Sequence, residues 1–296
     1  MSSSFRPPVL FFLSFGYVLI TSAFPASVVW AQSVLMALIA AGLMLIGIPH
    51  GALDVWTFQH RAKTGAKARY IVGYLMAIGG VFWFWQTFPV AGLVLFLCLS
   101  AWHFGQADGA LWGLTKVESA VWGAWLLSMM LVWHTEEMNA ILVHMGILHE
   151  QLSRLAVHLE PVQGVTVLGW VFAAAWAIKR SNWNWLWCIG MLAATPWTPL
   201  LLMFGLYFVG QHSAAGWHHL KSRLGQSSWE LWSKAIPFSL GAWVLIGAGL
   251  GWMTFESPSD LDATAGAFFV LLGSISIPHI FESHLFLFNA AEGSTP

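Results

Sequence analysis

Residues 28–54 read VVWAQSVLMALIAAGLMLIGIPHGALD: no charge from Val28 to Pro49, then His50, then Asp54 four positions later. About 20 apolar residues at 1.5 Å per residue cross the ~30 Å hydrocarbon of a bilayer, so this stretch reads as a membrane-spanning helix. It ends on an imidazole, a group that is costly to leave in hydrocarbon and that marks function by default. The pattern recurs. His103 stands in AWHFGQAD, His212 in FVGQHSAAGW and His279 in SIPHIFES, each late in an apolar run.

The whole chain agrees with that first stretch. Of 296 residues, 58% are hydrophobic and only 8% charged, with a mean hydropathy of +0.70. A soluble domain carries about 25% charged residues, so the composition indicates an integral membrane protein. A net charge of −1 gives no electrostatic case for binding nucleic acid. Cys98 and Cys188 both lie inside apolar runs and read as packing residues. The run from Val9 to Phe24 has no clear small-residue cleavage pattern and reads as a first span rather than a removed signal.

Ten apolar segments follow one another, at 9–24, 28–49, 70–87, 89–104, 118–133, 163–178, 183–196, 198–216, 236–254 and 263–288. The seventh is short and Trp-rich. The expected fold is all-α: one polytopic helical bundle of about 8–10 spans, a single integral membrane domain over residues 1–296. Between 134 and 162, Ile141, Leu142, Met145, Leu148, Leu152 and Leu155 recur at helical spacing, which predicts an amphipathic interfacial helix with His134, His144, His149 and His158 solvated.

Charge orients the chain. With ten spans and a cytoplasmic N-terminus, Arg6, Arg61, Lys63, Lys67, Arg69, Lys116, Lys179, Arg180, Lys221, Arg223 and Lys234 fall inside and only Arg154 falls outside, as the positive-inside rule requires. That topology brings all four histidines toward the cytoplasmic leaflet. Neutral imidazole suits iron, zinc, copper or nickel, and a ligating His usually donates its other ring N–H to a carboxylate or carbonyl. Asp54 follows His50, Asp108 follows His103 and Glu282 follows His279 at three to five residues, so these acids are the expected orienting partners. Trp56, Trp102, Phe104, Tyr207, Phe208 and Phe281 gather near the same motifs, where a long planar polyene and an interfacial aromatic belt would both use them.

GIPHGALD, WHFGQAD, QHS and IPH, in this order, resemble the Brp/Blh family of bacterial and archaeal β-carotene 15,15′-dioxygenases, from about Gly47 to Ser283. The resemblance implies a multi-pass protein of the bacterial inner membrane that uses Fe(2+) and O2 to split β-carotene or a related carotenoid into retinal, with an opsin as a possible recipient. It implies His50, His103 and His212 as iron ligands and matches Pro278 and His279 to the family's Pro-His motif. Trp56, Trp102, Phe104, Tyr207, Phe208 and Phe281, clustered near these motifs, are the candidate residues to line such a substrate. One position departs. The family carries a second histidine four residues after the first in its His-Ser motif, and here that residue is Gly216. His279, or a shifted His218 or His219, then completes the site, or three histidines suffice.

Other classes make different demands. A membrane haem protein would show paired axial histidines and a strong visible band. A metal or proton transporter would show ionisable groups across the full depth, whereas these gather near one side. A carotenoid- or metal-binding protein without catalysis is the reading that Gly216 favours.

Overall fold

The computed structural model describes residues 7–62, 66–148, 150, 159–255 and 260–288. Every regular element among them is helical. The elements are α1 Pro7–Ala23, α2 Val28–Gly42, α3 Ile48–Gly51, α4 Asp54–Ala62, α5 Lys67–Thr87, α6 Pro89–Trp112, α7 Lys116–Val132 and α8 Thr135–His144. They continue as α9 Leu159–Lys179, α10 Trp183–Leu192, α11 Leu200–Gly205, α12 Ala214–Leu224, α13 Ser228–Met253 and α14 Leu261–Phe288. Two π-helical segments, Leu43–Gly47 and Leu206–Ser213, join α2 to α3 and α11 to α12.

Six stretches are long and apolar enough to cross a membrane: Pro25–Ala62, Lys67–Thr87, Pro89–Trp112, Pro161–Lys179, Ser228–Met253 and Leu261–Phe286. The chain is therefore an all-α polytopic membrane protein, and each of the ten apolar segments has a helical counterpart. The seventh contains α10, ten residues long and so about 15 Å, half the hydrocarbon thickness. Polar chemistry sets the breaks between helices. Thr115 with Glu118 and Ser227 with Glu230 form capping boxes that start α7 and α13. Gly225, with φ of 61°, ends α12 in the left-handed conformation that glycine adopts without penalty.

The chain divides into two compact units. One comprises residues 1–47, 104–138 and 150–225. In it, a Cβ on Gly190 of α10 would stand 3.0 Å from the Phe11 ring of α1, and one on Gly210 would overlap the Leu10 side chain. The C-terminal part of α6 runs directly against α7, where Gly105 faces the Ser119 carbonyl oxygen and Gly109 the Ser119 hydroxyl. Trp125 donates 2.9 Å to the Thr166 carbonyl and ties α7 to α9.

The other unit comprises residues 48–103, 139–149 and 226–296. Here α14 packs against α4, α5 and α13, and α13 packs against α3. Gly273 of α14 lies against Trp85 and Phe96, and Trp85 is 1% exposed. The apolar stripe near residue 141 does not lie open in an interface. Ile141, Leu142 and Met145 are buried, because α14 presents Gly266 to the Ile141 carbonyl and the His144 Cβ. His134 is buried, with Nδ1 3.5 Å from Glu137, whereas His144 is exposed, as its sequence setting predicts, and sits 3.6 Å from the Asp260 carboxylate. His149, Leu152, Leu155 and His158 lie outside the described residues.

Candidate metal centre

In the second unit, three of the four motif histidines come together. His50 ends α2's continuation in α3, His103 lies in α6 and His279 in α14. The His279 ring centre is 5.0 Å from that of His50 and 5.4 Å from that of His103, with interplanar angles of 88° and 86°. His50 is 5% and His103 7% exposed. Pro278, inside α14, removes one N–H from the helical ladder directly before His279. The Gly51 backbone runs beside the same ring: a Cβ there would stand 3.6 Å from His279 Nδ1.

Two buried carboxylates of this unit have definite partners. Asp54, at the start of α4, stands 3.0 Å from His279 Nδ1 through both oxygens. The carboxylate accepts, so Nδ1 carries the proton and Nε2 keeps the lone pair that a metal needs. The Tyr74 hydroxyl in α5 donates 2.8 Å to Asp54 Oδ2. Asp54 thus orients His279, a long-range partner, although it follows His50 in sequence. Glu282 is 4% exposed and is held by Arg61 Nη2 at 2.9 Å and Thr57 Oγ1 at 3.1 Å. It closes α14 onto α4 one turn beyond the histidine.

Imidazole nitrogen is a ligand type that iron and zinc both accept. With metal–nitrogen bonds of about 2.1 Å, two imidazoles on one ion keep ring centres roughly 4.5–5.5 Å apart. The two spacings around His279 fall in that range. Among the described residues, however, no group of three or more His, Cys, Asp or Glu side chains could hold a metal ion as it stands.

The first unit holds the remaining motif residues. His212 is 3% exposed, lies in the π-helical segment, and packs 4.6 Å from Phe104 and 5.6 Å from Phe208. Asp108 is fully buried. Its carboxylate accepts from Trp122 Nε1, the Tyr207 hydroxyl and Gln211 Nε2, each at 2.9 Å. Sequence spacing assigned Asp108 to His103; the structure gives it to α7 and to the segment that carries His212. Gly216 lies in α12 and His219, in the same helix, is half-buried.

The aromatic residues separate in the same way. Trp102 lies 4.5 Å from the His284 ring, and Phe281 is 54% exposed. Trp56 is flanked by the ammonium groups of Lys67 and Lys234, at 5.1 and 5.2 Å from its ring centre. Tyr207 and Phe208 are buried around Phe104. Sequence spacing did not mark Tyr74, Thr57 or Arg61. A signal existed for Tyr74. A chain with 20 Trp and 21 Phe but only four Tyr places a phenol where its hydroxyl has a use, and two of the four reach buried carboxylates.

A family model described as beta-carotene 15,15′-dioxygenase matches residues 41–286. A curated relative from uncultured marine bacterium 66A03, named beta-carotene 15,15′-dioxygenase, is 24% identical over 261 residues, covering 80% of this chain and 89% of the relative. No solved structure matches the chain.

Proposed function

Because the chain belongs to the β-carotene 15,15′-dioxygenase family, we propose that it cleaves β-carotene, or a related carotenoid, with O2 to give retinal. It is a carotenoid-cleaving oxygenase by family. In the proposed reaction one C=C bond breaks, and each of its carbons takes one oxygen atom of O2 as an aldehyde. Ferrous iron, held by the histidine nitrogens, would supply the activation of O2. The observation that carries this reading is the gathering of His50 and His103 around His279, with Asp54 fixing the His279 tautomer. His279 is the ligand we assign in place of the imidazole absent at Gly216. His212 enters the reading on its motif alone.

The chain's own residues do three things in this scheme. They hold nitrogen lone pairs at buried positions, they fix those rings through Asp54 and Tyr74, and they keep the surroundings apolar so that reactive species meet little water. The substrate is a hydrocarbon dissolved in the bilayer, so it reaches the site laterally. Trp102 and Phe281 are the proposed lining residues of the histidine unit, whereas Trp56 and Tyr207 are engaged by lysines and by Asp108. The proposed location is a bacterial inner membrane, with the site toward the cytoplasmic leaflet and an opsin as a possible acceptor of retinal.

Expression in β-carotene-producing bacteria tests the reading, with chromatography for retinal and loss of orange colour as readouts. The parent chain is expected to yield retinal and His50→Ala none. Folded, iron-loaded protein that leaves the carotene intact would overturn cleavage and leave a carotenoid-binding protein.

A further inference from the structure

Trp56 follows Asp54 by two residues in α4, and its indole is held from two other helices. Its Nε1 donates 3.2 Å to the Lys234 carbonyl of α13. The Lys234 ammonium lies 5.2 Å from the ring centre, and the Lys67 ammonium of α5 lies 5.1 Å from it. The two nitrogens therefore cannot be further apart than the sum of these two distances. Lys67 also lies 5.7 Å from the Phe238 ring, and Lys234 Nζ donates 2.6 Å to Gln226 Oε1. All three residues of this clamp are half-buried.

The clamp has no carboxylate at ion-pair distance, although Glu230 feels the Lys234 charge from further off. Among the described residues, neither ammonium forms an ion pair with a carboxylate. Arg61, the nearby cation that does, is committed to Glu282. Glu230, one turn before Lys234, is committed to the capping box at Ser227. Helix α5 begins at Lys67 with no acidic residue in its first turn and no side-chain cap, so its N–H groups add to the positive field. Two half-buried like charges held beside one ring at the end of a spanning helix are balanced best by an anion from outside the chain.

We propose that Lys67, Lys234 and Trp56 form a binding site for the phosphodiester headgroup of an anionic phospholipid. The ammonium groups take the phosphate, the indole fixes their spacing, and the acyl chains run along the adjoining apolar faces of α5 and α13. The site stands on the helix that begins with Asp54, and it is independent of the metal.

Purified full-length protein in neutral detergent is titrated with phosphatidylglycerol, with phosphatidylcholine of the same acyl chains, and with inorganic phosphate. Bound lipid is counted by native mass spectrometry, and thermal unfolding is followed in parallel. Selective binding and stabilisation by phosphatidylglycerol are expected. Lys67→Gln/Lys234→Gln is expected to weaken that binding about 30-fold, at roughly one screened charge interaction per lysine. Lys67→Arg/Lys234→Arg is expected to keep it. Equal binding of the two lipids, an undiminished preference in the glutamine variant, or equal protection by inorganic phosphate would each overturn the proposal.

Discussion

A single carboxylate, Asp54, joins three helices: it begins α4, receives the Tyr74 hydroxyl from α5 and receives His279 Nδ1 from α14. Removing one contact at a time separates its tasks. His279→Ala deletes the central ring and is expected to abolish both iron retention and retinal formation, measured by metal analysis and chromatography. Tyr74→Phe removes only a hydroxyl and is expected to lower iron affinity about 10–100-fold while the protein stays folded, the usual range for an orienting partner. Metal titration with Co(2+) as an optical probe checks it, and unchanged affinity would place Tyr74 outside the centre. The histidines themselves were legible in sequence, since an imidazole ending an apolar run needs a reason. Their partners were not. Spacing gave Asp54 to His50 and Asp108 to His103, but these carboxylates serve His279 and Gln211, which lie 225 and 103 residues away.

At the scale of elements, close helix contact is set by glycine. A Cβ on Gly105 would collide with the Ser119 carbonyl oxygen, which is backbone and cannot step aside. Gly105→Ala is therefore expected to force α6 from α7 and to destabilise the protein by about 1–3 kcal/mol, read from thermal unfolding in detergent. Gly51→Ala should cost far less, because its methyl group meets His279 at ordinary contact distance. The long helices and their order were legible from apolar length, but the polar helices α4 and α12 were not. The shortness of α10 was legible too, from its brief Trp-rich run, whereas the π-helical segments were not, because they depend on how neighbouring helices pack. The stripe of Ile141, Leu142 and Met145 was legible as one face of a helix, but α14 covers it where sequence suggested a lipid interface.

For the whole molecule, the basic residues set the expected direction of insertion. With a cytoplasmic N-terminus, green fluorescent protein fused ahead of Met1 should fluoresce, and alkaline phosphatase fused there should be inactive. Phosphatase activity at that end would reverse the orientation. Iron is expected to be removable by a strong chelator with loss of cleavage, and restored by Fe(2+) but not by Zn(2+), which has no redox chemistry. The purified protein should also lack an intense haem band, which an absorption spectrum checks directly.

The π-helical segment Leu43–Gly47 has one more consequence, concerning chain length rather than side chains. A π turn holds an extra residue within a helix while the flanking turns keep their facing. Losing one residue there closes the bulge into ordinary helix, and His50 still arrives on the same side. Losing one residue within α2 turns everything after it by about 100°. Single-codon deletions across 28–47 should thus fall into two classes, tolerated at the C-terminal end and ruinous before it. Where relatives differ in length ahead of the first histidine, the gap belongs at the bulge.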